Sequence, residues 1–291
     1  MKNEEIFCQL SVLAALSSWR MITLLIATRN THKVQEIRSI LGDRFQYRTL
    51  KDFPNAPKVV ENAATFAGNA TKKAVELARW LGRSAVHPPP PRLRRAGSPS
   101  ASAEATAGRQ STVWGLQSAT HGRPSGEEGG EVFVLADDSG LEVDALGGAP
   151  AVHSARFAGL ERGGSENSSS AQNNAKLLRL LKDVPSEKRT GRFRCVLALS
   201  PVVRQEQQSA SPVCQATEAE LLTELFEGAC EGRIAPALRG QGGFGYDPLF
   251  VPEGHDLTFG ELDREVKNRL SHRARALEKL RQWFERRRPG A

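Results

Sequence analysis

Two adjacent carboxylates, Asp137 and Asp138, directly follow the apolar segment 132–135. That segment predicts a buried strand, and acids at the end of a buried strand are costly unless a cation or a reaction uses them. Because side chains alternate along a strand, the two acids should point to opposite faces and do different work. An Asp-Asp-Ser-Gly string is also typical of a surface turn. The alternation in 141–144 favours instead a hairpin of ordered strands that carries a metal or water-activating site.

The segment 28–33 predicts a loop between a strand and a helix, and it ends in Lys33. Backbone N–H groups at a helix start favour an anion, and a lysine adds a positive charge, so a triphosphate would suit this loop. The loop lacks the glycines of a P-loop, and an ordinary capped helix start explains it equally well.

A glycine-rich loop, 240–245, runs into Tyr246 and Asp247. Glycines let the backbone approach a ligand, while Phe244 and Tyr246 offer faces on which a base can stack. Asp247 can accept a hydrogen bond from a ring N–H or a lysine. The alternative is a β-turn packed by aromatic side chains.

His272 and Arg273 follow Ser271, which is the predicted N-cap of the last helix. Their donors could bind carbonyl oxygens of a purine or hold a phosphate. A solvated helix start would show the same residues.

Strands and helices alternate along the chain, which favours an α/β fold. The predicted strands cover 22–27, 132–135, 192–199 and 221–227. The predicted helices begin after residue 33, at Thr65, near Ala171 and at Ser271, and Gly42 and Gly82 end the first two.

Composition restricts the class of protein to which the chain can belong. The chain has 291 residues, a net charge of +7 and four cysteines with no paired spacing, so a disulfide framework or cysteine metal cluster is not expected. No apolar run is long enough for a bilayer, and acids stand where a signal peptide would be positive. We therefore expect a cytoplasmic protein. Residues 1–20 are interpreted as an extension before a possible start at Met21, with 21–288 as a single domain.

Two segments interrupt that domain. Residues 83–130 contain a tetraproline and little apolar periodicity, so a disordered low-complexity insertion is predicted, although Trp114 and Leu116 could mark a docking patch. Residues 201–217 predict an irregular loop.

Together and in this order, the motifs resemble the inosine triphosphate pyrophosphatase family. The motifs that carry the resemblance are 27–30, His32, Lys33, Glu61, Thr65, Phe66, Asn69, Ala70, Lys73, Ala74, 136–141, 147–150, 154–157, 192–195, 232–234, 242–248 and 271–273. Departures occur at 61–63, where the family usually has Glu-Thr-Gly or Glu-Asp-Gly, and at Gly68, where it usually has an acid.

The resemblance implies a long twisted mixed sheet flanked by helices, with two lobes, a central substrate cleft and usually a homodimer. It implies Mg²⁺-dependent hydrolysis of ITP, dITP or XTP to the monophosphate and pyrophosphate. Asp138 corresponds to the proton acceptor and a metal ligand, and Glu61 to the second metal ligand. The implied substrate-binding residues are Thr28, Arg29, Asn30, Thr31, His32, Lys33, Lys73, Ser139, Phe244, Gly245, Tyr246, Asp247, Lys267, His272 and Arg273.

In that interpretation, Lys33 and Lys73 stabilise the pyrophosphate leaving group. His272 or Arg273 donors would bind a 6-oxo group and would lose a partner against adenine, which has an amino group there. Two alternatives stay open. One is a nucleotide-binding protein without turnover; the other is a nucleic-acid binder that uses its basic insertion and tail, which we do not expect as the main role.

Overall fold

The computed structural model describes residues 21–83, 131–163, 166–203 and 222–287, which contain one six-stranded mixed sheet. The strands are Thr23–Ile26 (β1), Gln46–Thr49 (β2), Val132–Val143 (β3), Thr190–Pro201 (β4), Glu224–Ile234 (β5) and Phe250–Pro252 (β6). They lie in the order β2-β1-β3-β4-β5-β6. β1 is parallel to β2 and β3, and the other neighbours are antiparallel.

The α-helices in these ranges begin and end largely where capping residues predict. They are Thr31–Leu41 (α1), Phe66–Arg83 (α2), Ser170–Leu180 (α3), Arg264–Leu270 (α4) and His272–Arg286 (α5). Thr65 and Ser271 accept hydrogen bonds from backbone N–H groups in the first turns of α2 and α5. Gly42 ends α1 with a φ of 68°, a conformation that suits glycine. Gly82 does not end α2, which continues to Arg83.

Alternation along β1 divides the core between the two faces of the sheet. Leu24 and Ile26 pack in one cluster with Leu277 of α5, while Leu25 packs in another with Ala74 of α2. A third cluster covers the far ends of β3, β4 and β5, where α3 packs. Because β3 and β4 are long enough to pass from the first two clusters to the third, residues midway along β3 lie where the clusters meet.

Two strand predictions need correction. Asp137 and Asp138 do not follow a strand or form a hairpin, because β3 is continuous from Val132 to Val143 and pairs with β4 along that length. β5 begins at Glu224 and continues to Ile234, beyond the predicted range. Pairing with β4 keeps the strand extended through its glycines, which by themselves disfavour a strand.

The predicted 1–20 extension, residues 84–130 of the predicted insertion and residues 204–217 of the predicted irregular loop lie outside the described residues, as do residues 218–221. None of the helices that the structure describes combines the length and the apolar character that a bilayer crossing requires.

Candidate active site

The two neighbouring acids of β3 face opposite sides of the sheet, as strand alternation predicts. Asp137 lies opposite Leu197 of β4 and is directed towards α1 and α5, where it contacts Lys33 and Arg273. Asp138 is directed towards α2 and hydrogen-bonds the side chain of Asn69. Two environments therefore lie back to back, one residue apart.

Asp137 is neutralised completely within the protein. Its Oδ2 accepts a hydrogen bond from Arg273 Nε at 2.7 Å, and its Oδ1 forms an ion pair with Lys33 and accepts from Ser139 Oγ at 3.0 Å. Burial alone would raise the pKa of Asp137, but the Arg273 guanidinium and the Lys33 ammonium hold that pKa well below its ordinary value. Asp137 is thus an ionised structural anchor for two cations.

The ion network continues from Arg273 through Glu36 to the glycine-rich loop. Glu36 pairs with Arg273 and accepts a hydrogen bond from Lys267 Nζ at 2.8 Å. Lys267 also donates to Asp247 Oδ2 at 2.6 Å, and this oxygen accepts from the Phe244 N–H at 2.7 Å. Burial raises the pKa of Asp247, and Lys267 offsets part of this effect.

Glu36 was not identified from the sequence, although it is buried at the centre of this network. Burial would raise the pKa of Glu36, yet Arg273 and Lys267 lower it. The available signal was its place on α1, one turn after Lys33 and beside the buried Ile37. A charged residue on the core-facing side of an amphipathic helix indicates a buried ion pair.

Asp138 is held differently from its neighbour. Its Oδ2 is buried and has no hydrogen-bond partner, while the Asn69 side chain also accepts from the Ala63 N–H at 2.9 Å. Burial raises the pKa of Asp138, and Lys33 and Lys73 offset part of this effect. A buried carboxylate oxygen without a partner is available for a proton or a cation.

Lys73 and Glu61 complete this side of the sheet. Lys73 Nζ lies 3.0 Å from Glu61 Oε1 and donates to the backbone carbonyl of Asp137 at 3.3 Å. Within the described ranges, no three Asp, Glu, His or Cys side chains are grouped closely enough to hold a metal ion by themselves. Any cation here would need oxygen atoms from a ligand as well.

A cavity of about 250 Å³ opens beside Ser139 on the Asp137 side. It is small against the roughly 300–1,000 Å³ of typical drug-sized sites, so it suits a single ring system. Its lining combines aromatic rings with charged and neutral polar groups, among them Lys33, Phe193, Phe244, Tyr246, His272 and Arg273.

His272 forms part of this cavity as a neutral imidazole. Its ring stacks on Phe193 with centroids 4.7 Å apart, and its Nδ1 is buried without a partner. Burial and the neighbouring Arg273 charge hold the pKa of His272 well below 6.5. Gly228 allows this placement, because a Cβ there would lie 2.1 Å from the His272 carbonyl oxygen.

The buried neutral His272 predicts a specific pH dependence of folding. Below about pH 6.5 the unfolded chain binds a proton at this residue and the folded chain does not, so the free energy of unfolding falls as the pH is lowered. Relative to His272→Gln, the wild type should lose about 1.4 kcal/mol per pH unit below this value.

Urea unfolding in EDTA between about pH 7.5 and pH 5.5 measures that difference. His153→Gln, at an exposed histidine, is the matched control. Parallel curves for the wild type and His272→Gln would show that the buried imidazole takes up a proton in the folded state.

Comparison with known proteins identifies the family of this chain. The Ham1 family model matches residues 24–87 and 116–283, which together cover most of the chain. The chain belongs to the Ham1 family. The resemblance inferred from the motifs is confirmed at this level.

Curated relatives match along nearly their full length. The dITP/XTP pyrophosphatase of Geobacillus kaustophilus is 39% identical over 267 residues, covering 91% of this chain and 96% of that protein. The dITP/XTP pyrophosphatase of Desulforamulus reducens is 38% identical, covering 88% of this chain and 92% of that protein. Among solved structures, the HAM1 protein of Coxiella burnetii has a TM-score of 0.60 at 27% identity, covering 91% of this chain and all of that chain.

In this Ham1-family chain, several predicted site residues meet around the cavity. Lys33, Ser139, the 244–247 loop, Lys267, His272 and Arg273 all line it. Arg273 is 1% exposed and uses three of its nitrogens on Asp137, Glu36 and Ser139. These contacts hold the guanidinium within the protein, and binding of a substrate carbonyl by Arg273 stays a prediction.

The predicted residues before Lys33 lie at the start of α1. Asn30 Oδ1 accepts from the His32 and Lys33 N–H groups, so the protein itself occupies two of the amides expected to hold an anion. Thr28 Oγ1 accepts from the Asn30 N–H, while Arg29 and Thr31 are exposed. His32 is exposed and stacks on Phe244 with centroids 5.4 Å apart.

Tyr246 and Gly245 are fixed by contacts that sequence reasoning did not identify. The Tyr246 hydroxyl donates to the Ser154 carbonyl at 2.9 Å, and burial raises its pKa, so it stays neutral. The Gly245 carbonyl accepts from Asn174 Nδ2 at 3.0 Å. Asn69 and the segment 154–157 belong to the motifs that carry the resemblance, but no role was predicted for them. Asn174 belongs to none of those motifs, because its partner Gly245 lies 71 residues away in the sequence.

Proposed function

We propose that this Ham1-family protein is a Mg²⁺-dependent nucleoside triphosphate pyrophosphohydrolase. It converts ITP, dITP and XTP to the monophosphate and pyrophosphate, and so removes these non-standard purines from the nucleotide pool. The observation that carries the proposal is Asp138, whose buried oxygen without a partner lies near Lys73 and one residue from the base-sized cavity. Relatives that are named dITP/XTP pyrophosphatases support the substrate class.

The acids on the Asp138 side of the sheet suit Mg²⁺, which usually takes one or two carboxylates together with water and substrate phosphates. Asp138 and Glu61 would hold it, since Asp138 Oδ2 has no protein partner and the described ion pair of Glu61 is with the Lys73 ammonium alone. When bound, the metal would neutralise charge on the phosphate oxygens.

The protein's own groups supply the remaining chemistry. Asp138 accepts the proton of the attacking water. Lys33 and Lys73, whose charges both act on Asp138, stabilise the charge that develops on the leaving pyrophosphate. Their present carboxylate partners, Glu61 and Asp137, keep both ammonium groups in place.

Base selection is assigned mainly to His272. Because its imidazole is neutral and Nδ1 has no protein partner, a tautomer with a proton on that nitrogen can donate to a 6-oxo group. Adenine would present its amino group to the same donor, and a site that loses a buried hydrogen bond rejects such an analogue strongly.

Initial rates of pyrophosphate release from ITP, XTP, dITP, ATP and GTP, side by side with Mg²⁺, test the proposal. We expect the first three to turn over and ATP to react at least about 100-fold more slowly. Tight ITP binding without any product would favour the alternative, a nucleotide-binding protein without turnover.

Metal dependence gives a second prediction. EDTA should abolish pyrophosphate release, and Glu61→Gln should raise the Mg²⁺ concentration for half-maximal rate by about tenfold, because one charged ligand is lost. Glu76→Gln is the matched control, since Glu76 lies on α2 at 4.0 Å from the surface residue Lys72. An unchanged Mg²⁺ titration for Glu61→Gln would remove Glu61 from the metal site.

Three further proposals concern the protein's context. We expect a homodimer, which sedimentation at micromolar concentration tests. We expect a cytoplasmic location, and no nucleic-acid affinity of consequence in a salt-dependent binding assay.

A further inference from the structure

Two adjacent asparagines near the start of α3, Asn173 and Asn174, are buried, with only 5% and 4% of their surfaces exposed. A buried amide is costly unless it is hydrogen-bonded, so its partners show what it does. Neither residue belongs to the ion network or to the Asp138 side of the sheet.

Asn173 fixes one border of the cavity. Its Nδ2 donates to the Ala155 carbonyl at 3.2 Å, and its Oδ1 accepts from the Ala158 N–H at 2.8 Å. Both of its polar atoms are satisfied, and Asn173 and Ala155 line the cavity.

Asn174 holds the glycine-rich loop through a single hydrogen bond. Its Nδ2 donates to the Gly245 carbonyl at 3.0 Å, across 71 residues of sequence. Its Oδ1 is buried and has no partner. If this position served packing alone, leucine would fill it without an unsatisfied acceptor, so the bond to Gly245 is the feature that distinguishes an amide here.

Gly245 lies between two of the aromatic residues that line the cavity, Phe244 and Tyr246. It has a φ of +64°, and it connects Phe244, whose N–H is fixed by Asp247, to Tyr246, whose hydroxyl is fixed by Ser154. The carbonyl of Gly245 is the point at which α3 holds this turn. Its position therefore sets the separation between the Phe244 ring and the Ser154–Ala155 border.

We propose that Asn174 is a positioning residue for the purine ring. By holding the Gly245 carbonyl, its amide keeps Phe244 and Tyr246 at the spacing that a purine requires, without touching the substrate. The proposal rests on the proposed function in taking the ligand to be a purine nucleotide.

Calorimetric titration with the two reaction products, IMP and pyrophosphate, in the presence of Mg²⁺ separates base binding from phosphate binding. Asn174→Leu and the nearly isosteric Asn174→Asp both remove the donor to Gly245. We expect the Kd for IMP to rise about fivefold to tenfold in both variants, while the Kd for pyrophosphate stays within about twofold. Arg179→Ala, at an exposed residue of α3 that pairs with Glu161, should leave both constants unchanged.

An unchanged Kd for IMP in both variants would overturn the proposal, and so would equal weakening of IMP and pyrophosphate, which indicates a merely structural role. Failure of the wild type to bind IMP would overturn it as well. If Asn174→Leu does not fold, Asn174→Asp alone decides. Because neither product needs turnover, a wild type that binds IMP but does not hydrolyse ITP would defeat the proposed function and leave this test intact.

Discussion

Asp138→Asn should lower kcat for ITP hydrolysis by about 10³-fold while leaving the protein folded. An amide has the shape of the carboxylate but cannot accept a proton from water at neutral pH. The loss should be equal in kcat and kcat/KM, because the interaction is made in the transition state. Initial rates of pyrophosphate release at ITP concentrations below and above KM measure both constants.

The same substitution should leave stability unchanged or raise it. Burial raises the pKa of Asp138, so the folded state binds a proton more readily than the unfolded state, and the ionised form at neutral pH opposes folding. A variant with full activity, or one that is inactive because it unfolds, would contradict this assignment.

Asp137→Asn should have the opposite effect, destabilising the protein by about 3–5 kcal/mol. The substitution leaves the buried Arg273 and the nearly buried Lys33 without their shared counter-charge. Urea unfolding at pH 7 measures the loss. Asp144→Asn is the matched control: Asp144 is 41% exposed and pairs with Arg192 at the surface, so it should cost no more than about 1 kcal/mol.

The pH dependence of this difference provides an internal check. Because the folded pKa of Asp137 is depressed, its stabilising contribution is complete above the unfolded value of 3.8 and is lost as the pH falls through the folded pKa. The gap between wild type and Asp137→Asn should therefore close in acid. A loss below about 1 kcal/mol at pH 7 would mean that the ion network is not structural.

The contrast between these neighbours has a simple origin. Successive residues of a strand face opposite sides of a sheet, and different helices cover the two sides here. α1 and α5 present cations to Asp137 within the fold, whereas α2 presents Asn69 and Lys73 to Asp138 and leaves one oxygen without a partner.

Local chemistry made several elements predictable from the sequence. Thr65, Ser271 and Gly42 are capping residues whose effect depends on a few neighbouring backbone groups, and the helices end or begin at them in the structure. The short edge strand β2 was not predicted, because Gln46–Thr49 is partly exposed and lacks a clear alternation. The helix α4 was likewise missed, since its seven residues include five charged or polar side chains by type.

The candidate site likewise has features that local sequence predicts and features that it does not. By itself, the sequence determined which groups are available: the paired acids of β3, the lysines at 33 and 73, the aromatic glycine-rich loop and the His-Arg pair. Each motif alone had a structural alternative, and it was their order, through the resemblance to a known family, that indicated nucleotide chemistry.

Only the tertiary structure decided which of these groups pair with one another. It assigned Arg273 and Lys267 to Glu36, gave Asp137 its counter-charges, and placed Asn174 against Gly245. These pairs join residues far apart in the chain, and whether a buried charge is balanced depends on what packs around it in three dimensions. Local sequence patterns can indicate that a charge such as that of Glu36 is buried, but they do not identify the distant residue that balances it.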